Sequence, residues 1–430
     1  MFFNYLSTNK LHNYDVKTEI TSGITAFITI CYILAVVPSV LATTGIDQTG
    51  AFTATALITA LTTLVSAVTS RQPYILGPSL GLNAIFAFTL VANCGYTGAQ
   101  ALTLLLIEGL LFLTLVMGNI HRYILEAIPS SLRNALVAGI GMFISFVGLR
   151  NSGIVVASPN TLVRMGAITP SFLIGILSIL LSGILIIRNV KGAMFFSILI
   201  CTLVGIPFGV TSIPNDFMPF SVPAIPSATT LDFSILTTAP TDSAIIIFTL
   251  LLINVFDALG GLLGVSSYTG DSGDNEQHHV KKAFTACSLG TIIGSILGMS
   301  PISVMAESSS GAASGAKTGL SAVVVALLFI TALFLSPLFM LIPMSAITGC
   351  LVIVGVYMIS SVMKIDFNDM SEALPAYMTI LTTVLTFSIA DGICFGIVTY
   401  VLVKLFTRRT QDLTIPMCIL ALLFIIKEII

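Results

Sequence analysis

The chain has 430 residues, of which 56% are hydrophobic and 8% are charged, and its formal net charge is −2. Soluble domains carry about 25% charged residues, so this composition excludes a soluble enzyme and is typical of a protein with many membrane spans. Lys and Arg do not cluster beyond the pairs Lys281–Lys282 and Arg408–Arg409, so the charge gives no indication of a nucleic-acid partner.

Twelve apolar segments are about long enough to cross roughly 30 Å of hydrocarbon as helices. They cover residues 20–41, 51–70, 99–119, 133–149, 171–187, 191–209, 243–265, 281–298, 318–336, 343–361, 374–390 and 391–407. Between them, stretches 73–92 and 298–316 are interrupted by Gly, Pro and Ser but are too apolar for surface loops. If each crosses as a broken helix, the chain has fourteen transmembrane segments.

The basic residues give a separate test of this count, because cytoplasmic loops are enriched in Lys and Arg. With a cytoplasmic N-terminus and fourteen crossings, only Arg150 and Arg164 fall outside, and Lys427 is undecided. Treating either broken stretch as non-crossing would spoil the pattern. We therefore predict a multi-pass protein of the plasma (inner) membrane with its N-terminus in the cytoplasm.

The two broken stretches lie seven crossings apart, with Pro78 in the first and Pro301 in the second. An odd-numbered repeat inserts its second copy upside down, as in secondary transporters, whose broken helices meet near the substrate. The predicted organisation is a cytoplasmic amphipathic N-terminus, a first seven-span repeat, an external connector, a second seven-span repeat and a hydrophobic tail. These parts cover residues 1–19, 20–209, 210–242, 243–407 and 408–430; segment 413–426 could cross, re-enter or lie along the bundle.

Apart from Asp391 at the very start of segment 391–407, three carboxylates lie within the predicted segments: Glu108, Asp257 and Glu307. A charge at the bilayer centre costs about 2.5–3.5 kcal/mol on insertion scales, so such residues usually face a cavity, a partner or a proton path. Asp257 precedes Gly260 and Gly261, which allow a ligand or a backbone to approach closely. Glu307 opens a half-helix, where free backbone N–H groups can reach a ligand. Asp257 could instead pair with hydroxyls of a neighbouring helix.

Two further side chains deserve separate interpretations. Asn83 occupies the position in the first broken stretch that Glu307 occupies in the second, and its amide offers both a donor and an acceptor. Asn83 could also cap the broken helix. Glu108 has only apolar and glycine neighbours in the sequence. This pattern fits a structural hydrogen bond or a protonated side chain as well as it fits a role in substrate binding. We therefore leave Glu108 out of the predicted site.

Residues 77–81 match the GxSxG pattern of hydrolases, which raises the alternative of a membrane-embedded enzyme. That alternative lacks a base, because all four histidines (His12, His121, His278 and His279) fall in predicted cytoplasmic loops. The seven cysteines never have CxxC spacing. We therefore expect no enzyme activity, no metal site and no cofactor.

Several motifs resemble the AzgA-type purine permeases, a branch of the nucleobase–ascorbate transporter superfamily. They lie at residues 21–27, 81–84 with 86–88, 107–109, 256–260, 300–301 with 307–308, and 319–337, and the resemblance runs in order from about residue 4 to residue 428. It implies an all-α polytopic fold of two inverted seven-segment repeats. It also implies a core domain of spans 1–4 and 8–11, a gate domain of spans 5–7 and 12–14, and short antiparallel strands in the broken segments 3 and 10.

The resemblance further implies a set of site residues. Asp257 and Glu307 would be the two acidic substrate residues and Asn83 a third contact. The same two carboxylates are the candidates for proton coupling, with Asp257 preferred.

The chemistry of a purine fits these residues. Glu307 could accept two ring N–H hydrogen bonds, which a charged acceptor strengthens. Phe256 or Phe86 could stack on the ring, and Ser308 is a further candidate for binding.

The resulting prediction is a secondary active transporter that imports hypoxanthine, guanine or adenine by proton symport with an elevator-like motion of core against gate. Sodium is the alternative coupling ion, and a homodimer is compatible with the sequence. Transport of uracil, xanthine or a small anion by the same fold is the alternative function. Asn254 stands where many family members have another acidic residue, and Cys287 replaces an aspartate, so the exact base stays open.

Overall fold

The structure is a computed structural model, and it describes residues 15–118, 129–159, 161–214, 217–226, 231–269, 274–414, 417–418, 421–422 and 425. Most of these residues are helical, and helices occupy all twelve predicted apolar segments. Each half of the chain contains the same order of elements: two long helical segments, a short strand, a short helix, and then further long helices.

The first half begins with α1 (Val16–Ile30), α2 (Ile33–Ala42) and α3 (Gln48–Ser70). Strand β1 (Leu76–Pro78) leads into α4 (Leu80–Ala84) and a π-helix (Ile85–Asn93). Then follow α5 (Gly98–Met117), α6 (Ser130–Asn151), the hairpin strands β2 (Val155–Ser158) and β3 (Leu162–Met165), α7 (Pro170–Ile187) and α8 (Ala193–Gly205). The sequence did not predict this hairpin, whose second strand is exposed.

The second half begins with α9 (Ile235–Thr238), α10 (Pro240–Thr269) and α11 (Asp274–Ile296). Strand β4 (Ile302–Val304) leads into α12 (Ser308–Ala313), α13 (Gly319–Ala332), a 3₁₀ turn (Leu333–Leu335) and α14 (Ser336–Met340). The last elements are α15 (Met344–Ile359), a 3₁₀ turn (Ser360–Lys364), α16 (Met370–Leu385), α17 (Ile389–Phe406) and a 3₁₀ turn (Thr410–Asp412).

Local sequence explains where several helices begin. Asp47 accepts a hydrogen bond from Gly50 N at the start of α3, and Thr97 forms a reciprocal capping box with Gln100 at the start of α5. Such side chains satisfy N–H groups that have no partner within the helix. Polar residues at the ends of apolar segments therefore set the helix boundaries.

In the part of the chain that the structure describes, eight helices are long and apolar enough to cross a membrane, and two further apolar helices, Leu80–Asn93 and Ala193–Gly205, are shorter. The protein is therefore an integral multi-pass membrane protein. The predicted number of fourteen segments is not confirmed, because the pieces of the broken segments are each too short to span the hydrocarbon alone.

The broken segments contain the predicted short strands. β1 and β4 pair antiparallel, with Leu76 opposite Val304 and Pro78 opposite Ile302. Hydroxyl groups of neighbouring helices bond the backbone of this small sheet: Thr63 bonds both Leu76 N and Leu76 O, and Thr291 accepts from Ile302 N at 3.0 Å. Backbone groups in hydrocarbon need such partners, because no water is available to replace them.

The long helices form two groups. The core group consists of α1–α5 and α10–α14 with the β1–β4 pair, and its helices pack mainly on one another. The gate group consists of α6–α8 and α15–α17, with the closest packing between α6 and α15. These groups correspond to the core and gate that the motif resemblance implies. The repeat boundaries stay predictions. Helix α10 begins at Pro240, three residues before the predicted start of the second repeat.

A buried cation joins the end of the gate group to the segment that follows it. Lys404 is 1% exposed, and its Nζ lies 2.6 Å from Glu372 and 2.9 Å from Asp412. Asp412 belongs to the turn after α17, so this contact holds the start of the predicted tail. Most of segment 413–426 lies outside the described residues, and its course stays open.

Candidate functional site

A cavity of about 850 Å³ lies between the core and gate groups. Its core side includes Tyr32, Ser79, Gly81, Phe256, Asp257 and Glu307, and its gate side includes residues 189–194, Val354 and Met358. Small-molecule sites commonly have volumes of roughly 300–1,000 Å³ and occur between structural units. The position between two helix groups makes this cavity the candidate site.

Glu307 lies between β4 and α12 and lines the cavity. Tyr32 donates a hydrogen bond from its hydroxyl to Glu307 Oε1 at 2.5 Å. Tyr32 is fully buried and lies at the break between α1 and α2, which interrupts the first predicted span. The phenol therefore fixes one oxygen of the carboxylate from a different part of the core group.

Asp257 lines the same cavity from α10. Its carboxyl group faces the hydroxyls of Ser79 and Ser303, and it is close enough to Glu307 for their charges to interact. One turn further on, a Cβ at Gly261 would lie 2.1 Å from the carbonyl oxygen of Val304. Only glycine permits this contact, so Gly261 brings α10 directly against β4.

Phe256 also lines the cavity, and the guanidinium carbon of Arg133 lies 5.7 Å from the centroid of its ring. Arg133 belongs to α6, so this cation–π contact crosses from the gate group to the core group. The ring is thus placed where it could meet a flat ligand, with one contact already made to the gate.

Three predicted binding residues do not line the cavity in this conformation: Asn83, Phe86 and Ser308. Asn83 and Phe86 are buried within the core group. The Ser308 hydroxyl donates to Ile75 O and accepts from Ile75 N, each at 3.2 Å, and so supports the segment that leads into β1. Their roles in substrate binding stay predictions.

The backbone donors of the two half-helices differ. In α12, the N–H groups of Ser308, Ser309 and Ser310 donate to carbonyl groups of residues 305–307 and are not free for a ligand. This differs from the expectation based on helix ends. In α4, Leu80 and Gly81 line the cavity, and N–H groups of a first helical turn have no partner within their helix. The first half-helix is therefore the better source of backbone donors.

Tyr32 is the contact that sequence reasoning missed. A buried tyrosine usually finds a partner for its hydroxyl, and a phenol in the middle of an apolar segment was the available signal. Its partner lies 275 positions away along the chain. Among the described residues, no group of three or more His, Cys, Asp or Glu residues is arranged to hold a metal ion.

Known proteins similar to this chain are permeases. The sequence profile of the xanthine/uracil permeases, described as a permease family, matches residues 17–395. The adenine permease AdeP of Escherichia coli is 36% identical, with 97% of this chain and 93% of AdeP covered. The guanine/hypoxanthine permease PbuO of Bacillus subtilis is 35% identical, with 96% of this chain and 97% of PbuO covered.

The transmembrane domain of BicA, a cyanobacterium bicarbonate transporter, matches with a TM-score of 0.67 and 17% identity. The match covers 90% of this chain and 99% of that domain. At this identity it shows the fold alone, which is the predicted polytopic helical fold. The family match and the two permease relatives lead to one conclusion: the chain belongs to the xanthine/uracil permease family and is a membrane transporter.

Proposed function

We propose that this transporter imports a purine nucleobase, namely adenine, guanine or hypoxanthine, across the plasma membrane. The observation that carries the proposal is the similarity over nearly the whole chain to AdeP and PbuO, which are named for these bases. Two carboxylates in one cavity, Asp257 and Glu307, suit a ligand that is neutral and rich in N–H donors.

Recognition would combine acceptors from one broken segment with donors from the other. Glu307 would accept N–H hydrogen bonds from the base, with Tyr32 holding one of its oxygens. The first-turn N–H groups of α4, at Leu80 and Gly81, would donate to a ring nitrogen or a carbonyl oxygen. Phe256 would stack on the flat ring.

Proton symport by an elevator-like motion is the mechanism that we propose. Both carboxylates belong to the core group, and the β1–β4 pair joins the two halves of that group. A displacement of the core against the gate would carry the base and a proton on Asp257 or Glu307 across the membrane. The α7–α8 loop lines the cavity and is predicted to be cytoplasmic, so this conformation would be the inward-facing one.

The substrate can be tested in cells that lack their own nucleobase permeases. We expect uptake of at least one radiolabelled purine, and competition by unlabelled purines but not by ascorbate, sulfate or bicarbonate. The two carboxylates disfavour an anionic ligand. Uptake of radiolabelled uracil or bicarbonate without uptake of any purine would contradict the proposal.

Coupling requires a separate experiment with purified protein in proteoliposomes. An imposed inward proton gradient should accelerate purine uptake, and a sodium gradient of equal size should not. Recovered label should be the unchanged base, since transport makes no covalent change. A response to sodium alone would identify sodium as the coupling ion.

A further inference from the structure

One carboxyl group of the membrane region lies outside the cavity. Glu108, in the middle of α5, is fully buried, and its Oε1 accepts a hydrogen bond from Asn254 Nδ2 at 3.1 Å. Asn254 is equally buried and precedes Asp257 by three residues on α10. Residues three apart share one face of a helix. The pair therefore lies directly beside a carboxylate of the candidate site.

The other two polar atoms of this pair, Glu108 Oε2 and Asn254 Oδ1, are buried without a hydrogen-bond partner in the described part of the chain. Both atoms are acceptors if Glu108 is ionised. No ion pair found among the described residues includes Glu108. Buried acceptors without partners are rare in proteins because each one costs free energy. An ionised Glu108 would leave two of them next to each other.

A single proton on Glu108 would give both of these atoms a hydrogen-bond partner. With the proton on Glu108 Oε2, that oxygen donates to Asn254 Oδ1 while Asn254 Nδ2 donates to Glu108 Oε1, which closes a ring of two hydrogen bonds. We propose that Glu108 is a neutral, proton-bearing positioning residue, which joins α5 to α10 through this acid–amide ring and holds Asp257 in place. Its proton stays bound throughout the transport cycle.

The surroundings of the pair favour a neutral acid. The Cys287 thiol of α11 is close enough to Glu108 and Asp257 to interact electrostatically with both, and it supplies no positive charge. A Cβ at Gly109 would lie 3.0 Å from Ile292 Cγ1, so α5 and α11 are in close contact here. An ionised Glu108 would lie at this apolar interface without a positive charge to balance it, and burying an unpaired charge is costly.

Infrared spectroscopy of the purified protein tests the protonation state without any transport assay. We expect a carbonyl band of a protonated carboxylic acid that is absent in E108Q and persists as the pH is raised through neutrality. D257N and E307Q identify the bands of the two carboxyl groups that line the cavity. The absence of a band that depends on Glu108, or its titration near neutral pH, would overturn the proposal. This result stands whether or not the transported molecule is a purine.

Uptake assays test the positioning role, and their readout rests on the proposed purine import. A glutamine at position 108 can rebuild the ring with Asn254, so E108Q should keep uptake within about twofold, with an unchanged response to a proton gradient. E108L and N254L each leave one buried partner unpaired and should lower uptake about tenfold or more. The double variant E108L/N254L should recover part of this loss, because both polar groups are removed together.

Protein amount and monodispersity are measured for every variant by fluorescence-detected size-exclusion chromatography. A well-folded E108Q protein that loses uptake, or loses its response to the proton gradient, would show that Glu108 must ionise during the cycle. That outcome would contradict the proposal even if the infrared band were present.

Discussion

The two broken segments have the same order of elements but different chemistry. In the first, β1 is followed by α4, whose N-cap Ser79 accepts a hydrogen bond from Leu82 N. In the second, β4 is followed by α12, and the residue at the helix start is Glu307, which is bonded to Tyr32. The first segment places the start of a half-helix at the cavity, and the second places a carboxylate there. A nearly symmetric backbone thus supports an asymmetric site.

The symmetry between the two halves is clearest in the hydroxyl groups that form hydrogen bonds with the β1–β4 pair. Thr63 on α3 bonds to β1, and Thr291 on α11 bonds to β4, so each strand receives a hydroxyl from the helix that precedes it. At the cavity, by contrast, the two segments present different side chains, Ser79 in the first and Glu307 in the second. Substitution of Glu307 or of its hydrogen-bond partner Tyr32 should therefore affect transport, whereas substitutions at the strand pair should affect the structure of both halves.

The largest effect is expected for E307Q. An amide keeps the shape but loses the charge, and two charge-assisted hydrogen bonds to the base would weaken, so uptake should fall about 100-fold or more. Ser309 lines the same cavity but bonds to Ala306 O, so S309A serves as the matched control and should stay near wild type. Undiminished purine uptake by E307Q would remove Glu307 from the site.

G261A should have the next largest effect. The added Cβ would lie 2.1 Å from Val304 O, so α10 and β4 must separate, and uptake or folded yield should fall about tenfold. The neighbouring Gly260 has no atom within 4 Å of an added Cβ, so G260A should keep the wild-type folded yield. Equal behaviour of the two variants in uptake and size-exclusion profiles would show that the close contact does not matter.

Y32F removes the donor to Glu307 while keeping the ring. Since one hydrogen bond to a charged group is lost, uptake should fall about three- to tenfold, with the change mainly in the KM for the base. Y357F provides the control, because Tyr357 lines the gate side of the cavity. A normal KM in Y32F would mean that the phenol does not prepare the carboxylate for the substrate.

N83A should have the smallest effect of the four. Asn83 does not line the cavity, so its loss should lower uptake by no more than about threefold, through packing within the core group. The ratio of the uptake losses in N83A and E307Q measures how differently the two broken segments contribute to transport. A loss as large as that of E307Q in a stable protein would place Asn83 in the site during another step of transport.

Apolar length and helix-breaking residues predicted most of the fold. The predicted segments 51–70 and 99–119 correspond to α3 and α5, and both interrupted stretches contain a strand and a short helix. The strands themselves have only three residues, too few for a periodic signal, and were expected only from the motif resemblance. The hairpin of β2 and β3 was missed because its exposed residues do not show the alternation of a half-buried strand.

The candidate site was predictable in part. The cost of burying charge in a membrane identified Asp257 and Glu307, and both line the cavity. The hydrogen bonds from Tyr32 to Glu307 and from Ile75 N to the Ser308 hydroxyl could not be predicted, because each joins distant parts of the chain. Local patterns indicate which residues need a partner but do not say which partner they find.

The β1–β4 pair has a consequence for how the protein is made. Ile75 and Ser308, which bond beside the strands, are separated by 233 positions along the chain. At about 5–20 residues per second, the ribosome needs roughly 10 to 50 s to synthesise the second segment after the first. During that time the backbone of β1 lacks its partner strand, and unpaired backbone groups are costly in hydrocarbon. The first broken segment must therefore enter the bilayer late, or wait beside the insertion machinery until its partner has emerged.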